Sequence, residues 1–120
     1  MSMRAVRGAT QVDENSSQAI GVAVVELLTK MISDNQIDTS DLVSIIFTAT
    51  RDLDADFPAV AARSIGLGEV PLLCAVEIDV PGSLSRVVRV LMHINSSKSL
   101  SDIKHIYLKG ATSLRKDIAQ

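Results

Sequence analysis

Aromatic side chains are scarce in this chain of 120 residues, which has no tryptophan, one tyrosine and two phenylalanines. Proteins that bind single-stranded nucleic acid stack its bases on aromatic side chains, and nucleic-acid binding usually leaves a basic patch. Here 12 lysines and arginines stand against 14 acidic residues, for a formal charge of −2. The composition therefore argues against a nucleic-acid partner.

Cysteine is also scarce, since Cys74 is the only one. No internal disulfide can form, and nothing points to an oxidising compartment. The start, Met1–Arg4, lacks the apolar region of a signal peptide, and the apolar runs end at charges well short of the ~20 residues that span a membrane. We expect a cytoplasmic protein with no membrane partner.

Most catalytic signatures are missing. The chain has no Walker loop, GxGxxG, GxSxG, CxxC or HExxH motif, and His93 and His105 are too few for a convincing zinc site. A nucleophilic Cys74 paired with a histidine stays open, although a lone cysteine in an apolar run is more typical of a small core residue. We expect no metal, no cofactor and no covalent intermediate.

The pattern of apolar residues predicts a single α+β domain over residues 1–120, in the order β-α-β-α-β-β-β, with the helices on one side of one β layer. Ile20, Val24, Leu27 and Met31 recur at helical spacing and predict a helix over 17–34. The other predicted elements are strands at 3–10, 42–50, 70–80, 86–94 and 103–108, a short helix from Pro58 to about Arg63, and a turn or short helix from 110 with a loose tail at 115–120.

Arg89 lies in the apolar run Val87–Met92, which is typical of a strand covered on both faces. A guanidinium stays protonated in proteins, and burying it unpaired costs several kcal/mol. A negative group must therefore meet Arg89. Glu77 or Asp79 on the neighbouring strand could supply it, and so could an anionic ligand.

Three further arginines have apolar or small neighbours: Arg7 beside Gly8, Arg63 at the end of the second helix, and Arg115 near the end of the chain. Composition alone favours the interpretation of Arg63 and Arg115 as solvated surface charges. Guanidinium groups that converge on one pocket would suit a small ligand with two carboxylates.

Glu77 interrupts an apolar strand. Strict alternation places Glu77 on one face with Leu73 and Ala75, and Cys74 on the opposite face. A half-exposed strand face explains this pattern as well as a binding site does.

Seven segments, in order, resemble the small trimeric chorismate mutases of the mixed α/β-barrel class. They are residues 4–10, 49–53, 57–59, 70–79, 86–90, 105–108 and 114–117. The resemblance implies a mixed sheet with two helices on one side, and a homotrimer that forms a pseudo-α/β barrel with each active site between two subunits. It also implies the cofactor-free rearrangement of chorismate to prephenate, on the route to phenylalanine and tyrosine.

The resemblance also implies roles for the charged residues. Arg7 and Tyr107 would hold the enolpyruvyl carboxylate of chorismate. Arg89 would reach the ether oxygen and a neighbouring carboxylate, and Glu77 and Cys74 would meet the ring hydroxyl. The expected catalytic set is therefore Arg89, Glu77 and Arg7.

Other residues would shape the pocket. By the same resemblance, Phe57 and Leu114 would pack on the substrate, while Arg63 and Arg115 would guard the entrance. Leu73 belongs to the expected substrate-binding set but stands where a threonine is common, which removes one polar contact. Val60 stands where some members carry a lysine, which weakens the attraction of the dianion.

Two other functions fit the same residues. One is a non-catalytic trimer that binds an anionic metabolite as a sensor or scaffold. The other is an imine/enamine deaminase, a similar small trimeric fold whose glycine-rich motifs are not visible here.

Overall fold

Among the residues that the structure describes, five strands and two helices follow one another in the order that the sequence predicts. The computed structural model describes residues 2–114, so the predicted loose tail and Arg115 lie outside the described residues. The elements are β1 Ser2–Gln11, α1 Ser17–Asp34, β2 Leu42–Ala49, α2 Pro58–Ser64, β3 Leu72–Val76, β4 Val87–Ser96 and β5 Ile106–Leu108. Short 3₁₀ turns lie at Thr39–Asp41, Leu100–Asp102 and Lys109–Ser113.

The strands form one mixed sheet in the order β3-β2-β4-β1-β5. The central strand β4 is antiparallel to both neighbours, whereas β1 pairs in parallel with β5 and β2 pairs in parallel with β3. This arrangement confirms the predicted mixed sheet.

Both helices pack on one face of the sheet, which we call the helix face. Alternate residues of β4, namely Val88, Val90 and Met92, are buried there in one apolar cluster with side chains of both helices. Arg89 and Leu91 point to the other face, which we call the open face, and both are only half-buried. The prediction that this strand is covered on both faces is therefore wrong for the single chain.

Helix α1 has the limits that its apolar spacing predicts. Ser16 caps it, because its hydroxyl accepts a hydrogen bond from the Ala19 N–H. Pro58 occupies the first turn of α2, and Gly66, with φ of 90°, follows its end. Proline thus begins this helix and glycine follows its end, in agreement with the predicted range from Pro58 to about Arg63.

Two strands are shorter than predicted, at 72–76 instead of 70–80 and at 106–108 instead of 103–108. The third strand loses its partner because β2 ends at Ala49, whose carbonyl accepts one last bond from the Glu77 N–H. Before β5, Lys104 is hydrogen-bonded through its backbone to the side chain of Asn35 instead of to a strand. In both places a non-local partner sets the boundary.

Candidate active site

Four of the predicted site residues line one cavity of about 300 Å³ on the open face: Arg7, Glu77, Arg89 and Tyr107. The register of the sheet explains why they meet. Arg89 of β4 lies opposite Ala9 of β1 and Thr48 of β2. Because side chains two residues apart share a face, the strand register also brings Arg7 and Glu77 to this part of the sheet.

Glu77 is the anionic partner of Arg89 in the single chain. The Nε of Arg89 lies 3.2 Å from Oε1 of Glu77, and the side chains are 42% and 21% exposed. The hydroxyl of Thr48 donates a hydrogen bond to Oε2 of the same carboxylate. Of the three partners that the sequence left open, Glu77 therefore supplies the negative charge in the single chain, because sheet order places it within reach of Arg89.

The contact between Arg89 and Glu77 is an ion pair without an aligned hydrogen bond. The Nε atom of Arg89 is shielded from solvent and has no hydrogen-bond partner among the described residues. A shielded donor without a partner costs roughly 1–3 kcal/mol. The guanidinium is thus neutralised by a nearby charge, while its Nε donor makes no aligned hydrogen bond among the described residues.

Arg7 and Tyr107 are fixed by the neighbouring strands β1 and β5. The backbone N–H of Arg7 donates to Nδ1 of His105 at 2.9 Å. Tyr107 is only 3% exposed and lies in a small cluster with Ala9 and Ala111, against which Leu114 packs.

Leu114 reaches the same region from the other side. It lines a smaller cavity of about 180 Å³ together with Glu77 and Arg89. The two cavities share the ion pair, so Leu114 adjoins the charged set.

Phe57 and Cys74 line a different cavity, of about 590 Å³. Phe57 is 68% exposed, whereas Cys74 is half-buried and packs against the apolar core. Alternation along β3 places Cys74 on the helix face and Glu77 on the open face, as the sequence predicts. No histidine lines this cavity among the described residues, so the structure gives no support to a Cys74–His dyad.

Two predicted residues line none of these three cavities, and a third lies outside the described range. Arg63 is exposed at the end of α2, and Leu73 is 60% exposed on the edge strand β3. Arg115 is not among residues 2–114. The single chain therefore brings Arg7, Glu77, Arg89, Tyr107 and Leu114 together, and it does not bring Phe57, Cys74, Arg63 or Leu73 to them.

Sequence reasoning missed Thr48, which holds Glu77, and His105, which holds the backbone of Arg7. The only local sign of a role for Thr48 was its polar side chain within the apolar strand predicted at 42–50. His105 had no such signal, because its partner lies 98 residues away.

Neither a metal cluster nor a membrane span occurs in the part of the chain that the structure describes. No three His, Cys, Asp or Glu side chains of residues 2–114 are placed to hold a metal ion. No helix in that range is long and apolar enough to cross a bilayer.

Comparison with known proteins agrees with the fold. The profile of the family described as chorismate mutase type I matches residues 3–118. The chain is 47% identical to the chorismate mutase AroH of Thermus thermophilus over 117 residues, which cover 97% of this chain and 96% of that protein. It is 37% identical to the AroH of Bacillus subtilis (strain 168) over 120 residues, with 99% and 94% covered.

A solved structure, that of a chorismate mutase from Clostridium thermocellum, superposes with a TM-score of 0.90 at 49% sequence identity. The superposition covers 92% of this chain and 98% of that one. This chain therefore belongs to the chorismate mutase type I family, a family of isomerases.

Proposed function

We propose that this chain rearranges chorismate to prephenate, as a cofactor-free chorismate mutase of phenylalanine and tyrosine synthesis. One observation carries the proposal beyond family membership: two guanidinium groups, those of Arg7 and Arg89, line one cavity in which residues 2–114 place a single carboxylate, Glu77. Such a cavity suits a small dianion, because arginine matches the planar geometry of a carboxylate.

Arg89 acts on the bond that breaks. In this Claisen rearrangement the carbon–oxygen bond breaks ahead of full carbon–carbon bond formation, so negative charge develops on the ether oxygen. A donor fixed beside that oxygen binds the transition state more tightly than the substrate. The place of Arg89 in the cavity that Arg7 and Tyr107 also line supports this role.

Glu77 accepts a hydrogen bond from the ring hydroxyl of chorismate. Its carboxylate is already oriented, since Thr48 donates to one oxygen and Arg89 attracts the other. The substrate's own negative groups then share Arg89 with Glu77. No proton transfer is required of any of these groups.

Arg7 and Tyr107 bind the enolpyruvyl carboxylate and hold that side chain folded over the ring. Holding the reacting carbons close together removes much of the entropic part of the barrier before the reaction begins. Leu114 packs on the substrate from the adjoining cavity. Arg63 and Arg115 attract the dianion at the entrance.

Each active site lies between two subunits of a homotrimer, and Phe57 and Cys74 act on the substrate that the neighbouring subunit holds. The separation of the predicted residues into two cavities of one chain supports this assembly. So do the exposed apolar side chains at and after the edge strand, namely Leu73, Val76, Ile78 and Val80. Several large apolar side chains left exposed in one short segment are typical of a protein interface.

The loss of chorismate absorbance on addition of pure protein, without metal or cofactor and in the presence of a chelator, tests this function. We expect turnover that the chelator does not change, with prephenate as the product. Tight binding of dicarboxylates without turnover would instead indicate a sensor, and would contradict the proposal. A cytoplasmic location remains a prediction from the sequence.

A further inference from the structure

We propose that His105 is a positioning residue of this site, and that its ring nitrogen Nδ1 fixes the strand backbone from which Arg7 reaches the substrate. The kinetic part of this inference rests on the proposed function. The structural part concerns the protein alone and stands without it.

The pairing of β1 with β5 leaves a place for a side-chain acceptor. The parallel ladder begins at Gly8 opposite Ile106 and ends at Thr10 opposite Leu108, so Arg7 lies one residue before it. Its N–H points to the β5 side of β1, where the Nδ1 of His105 accepts it at 2.9 Å. An imidazole nitrogen thus continues the ladder in place of a backbone carbonyl.

The direction of this hydrogen bond fixes the state of the ring. A backbone N–H can only donate, so Nδ1 must carry a lone pair. The ring is therefore neutral, with its hydrogen on Nε2. A side chain without an acceptor at this point would leave the Arg7 N–H without its partner.

Asn35 fixes the segment that carries His105. It is 1% exposed, and its side-chain amide donates to the carbonyls of Met31 and Lys104 and accepts from the Lys104 N–H. The residue before His105 is therefore tied to the end of α1. Through its hydrogen bond with the Arg7 N–H, the imidazole in turn fixes β1 at Arg7.

The expected kinetic signature follows from what Arg7 binds. Its carboxylate partner is present in the substrate and in the transition state alike. A small displacement of Arg7, with Tyr107 still holding the folded side chain, therefore weakens both states and raises KM more than it lowers kcat. A merely structural defect lowers the fraction of folded enzyme, which reduces the apparent kcat and leaves KM unchanged. The two effects are thus distinguishable.

Two substitutions of His105 separate its acceptor from its bulk. His105→Asn keeps an acceptor oxygen near the position of Nδ1, and His105→Leu fills similar space without one. We expect His105→Leu to raise KM for chorismate by roughly five- to tenfold, with kcat within about threefold of wild type. We expect His105→Asn to stay within about twofold in both constants.

Measurements on the free protein test the structural part without any turnover. In the wild type, ¹⁵N NMR should show an unprotonated Nδ1 with the ring hydrogen on Nε2, and the Arg7 amide should exchange slowly with solvent. His105→Leu should speed that exchange by roughly tenfold, and His105→Asn should not.

A protonated Nδ1 in the wild type would overturn the inference, even if His105→Leu failed to fold. An unchanged KM in a folded His105→Leu protein, or equal losses in both variants, would also overturn it. If the wild type binds chorismate without turnover, the proposed function fails, while the amide exchange and the ring tautomer still decide whether His105 holds Arg7.

Discussion

Arg89 keeps its charge in the middle of the sheet because Glu77 and the open face both lower the cost of placing it there. With 42% of its side chain exposed, the guanidinium is only partly desolvated, and its Nε lies 3.2 Å from a carboxylate oxygen. A half-exposed pair of this kind contributes little net stability, since solvent screens it. In the proposed function, the fixed positive charge of Arg89 serves binding and catalysis instead of stability.

Replacement of Arg89 by lysine tests its electrostatic role. Lysine keeps the charge but loses the planar set of donors, so we expect kcat to fall by roughly 10²–10³, with a much smaller rise in KM. Arg4→Lys is a matched control, because the Arg4 side chain donates to the backbone carbonyls of Met3 and Lys98 and does not line the cavity around Arg89. Steady-state kinetics on both variants gives the comparison, and a kcat near wild type for Arg89→Lys would contradict the role.

The need of Arg89 for an anion could be predicted from its apolar neighbours alone, but the identity of that anion could not. Glu77 was one of two carboxylates that the sequence left open. The other, Asp79, lies 3.7 Å from Arg51 instead. Which carboxylate pairs with Arg89 depends on the parallel pairing of β2 with β3 and on the register of β2 against β4. Both are non-local properties of the sheet.

At the scale of elements, the packing of α1 on β1 depends on Gly8. A Cβ added there would collide with Sδ of Met31 and would lie 3.2 Å from Cδ1 of Leu27. Both side chains are fully buried, so they have little room to move. The residue next to Arg7 therefore has to be small for the helix to sit where it does.

Gly8→Ala should lower the free energy of unfolding by about 1–3 kcal/mol through overpacking. Gly21→Ala is the control, because an added Cβ at this helical position meets no atom within 4 Å. It should raise the free energy of unfolding by up to ~1 kcal/mol, since alanine is the better helix former. Urea unfolding measures both changes, and equal stability of the Gly8→Ala protein would contradict the close packing.

The loop before α2 is tied to the start of α1, which places Phe57. Asn15 donates to Asp54 at 2.7 Å, and the Ser17 hydroxyl donates to Asp56 at 2.7 Å. The Ser17 hydroxyl, and after it the Phe57 N–H, hold the pKa of Asp56 below its ordinary value of 3.8. The carboxylate form of Asp56 is thus the one that the folded protein stabilises.

The pH dependence of Asp56 follows from the sign of that shift. Because the pKa is lower in the folded state, the stabilisation is present above the unfolded value and is lost as the pH falls through the folded value. The free energy of unfolding of wild type should exceed that of Asp56→Asn at pH 7, and the difference should shrink below pH 3.8. Urea unfolding between pH 3 and pH 7 measures it, and a difference that does not change with pH would contradict this account.

The limits of α1 and the order of the elements could be predicted because they depend on local patterns: apolar spacing, a serine cap, and proline and glycine at the ends of α2. The limits of β3 and β5 could not, because they depend on where β2 ends and on the side chain of Asn35. Local rules thus give the elements, and tertiary partners decide how far each strand extends.

At the scale of the whole molecule, the predicted site residues form two groups. One group lines the cavity around Arg89 and Glu77, and the other lines the cavity that contains Phe57 and Cys74. The sequence resemblance predicts the residues of both groups. Only the three-dimensional structure shows that the two groups line different cavities of one chain. In the proposed trimer, one subunit supplies the first group and its neighbour supplies the second.

Mixing two inactive variants tests this central claim most directly. Arg89→Ala removes the donor from the first group, and Phe57→Asp places a negative charge in the second at an exposed position that tolerates substitution. Each variant alone should lose at least about 100-fold in kcat while remaining trimeric by sedimentation. Wild-type protein refolded from urea in the same way is the control.

The decisive measurement is chorismate turnover after the two variants are refolded together in equal amounts. If each site joins two subunits, random assembly should restore about a quarter of the sites, because each subunit at an interface carries the intact group half of the time. Activity near a quarter of the refolded wild type is the predicted result. A mixture of trimers that stays as inactive as its components would contradict the account.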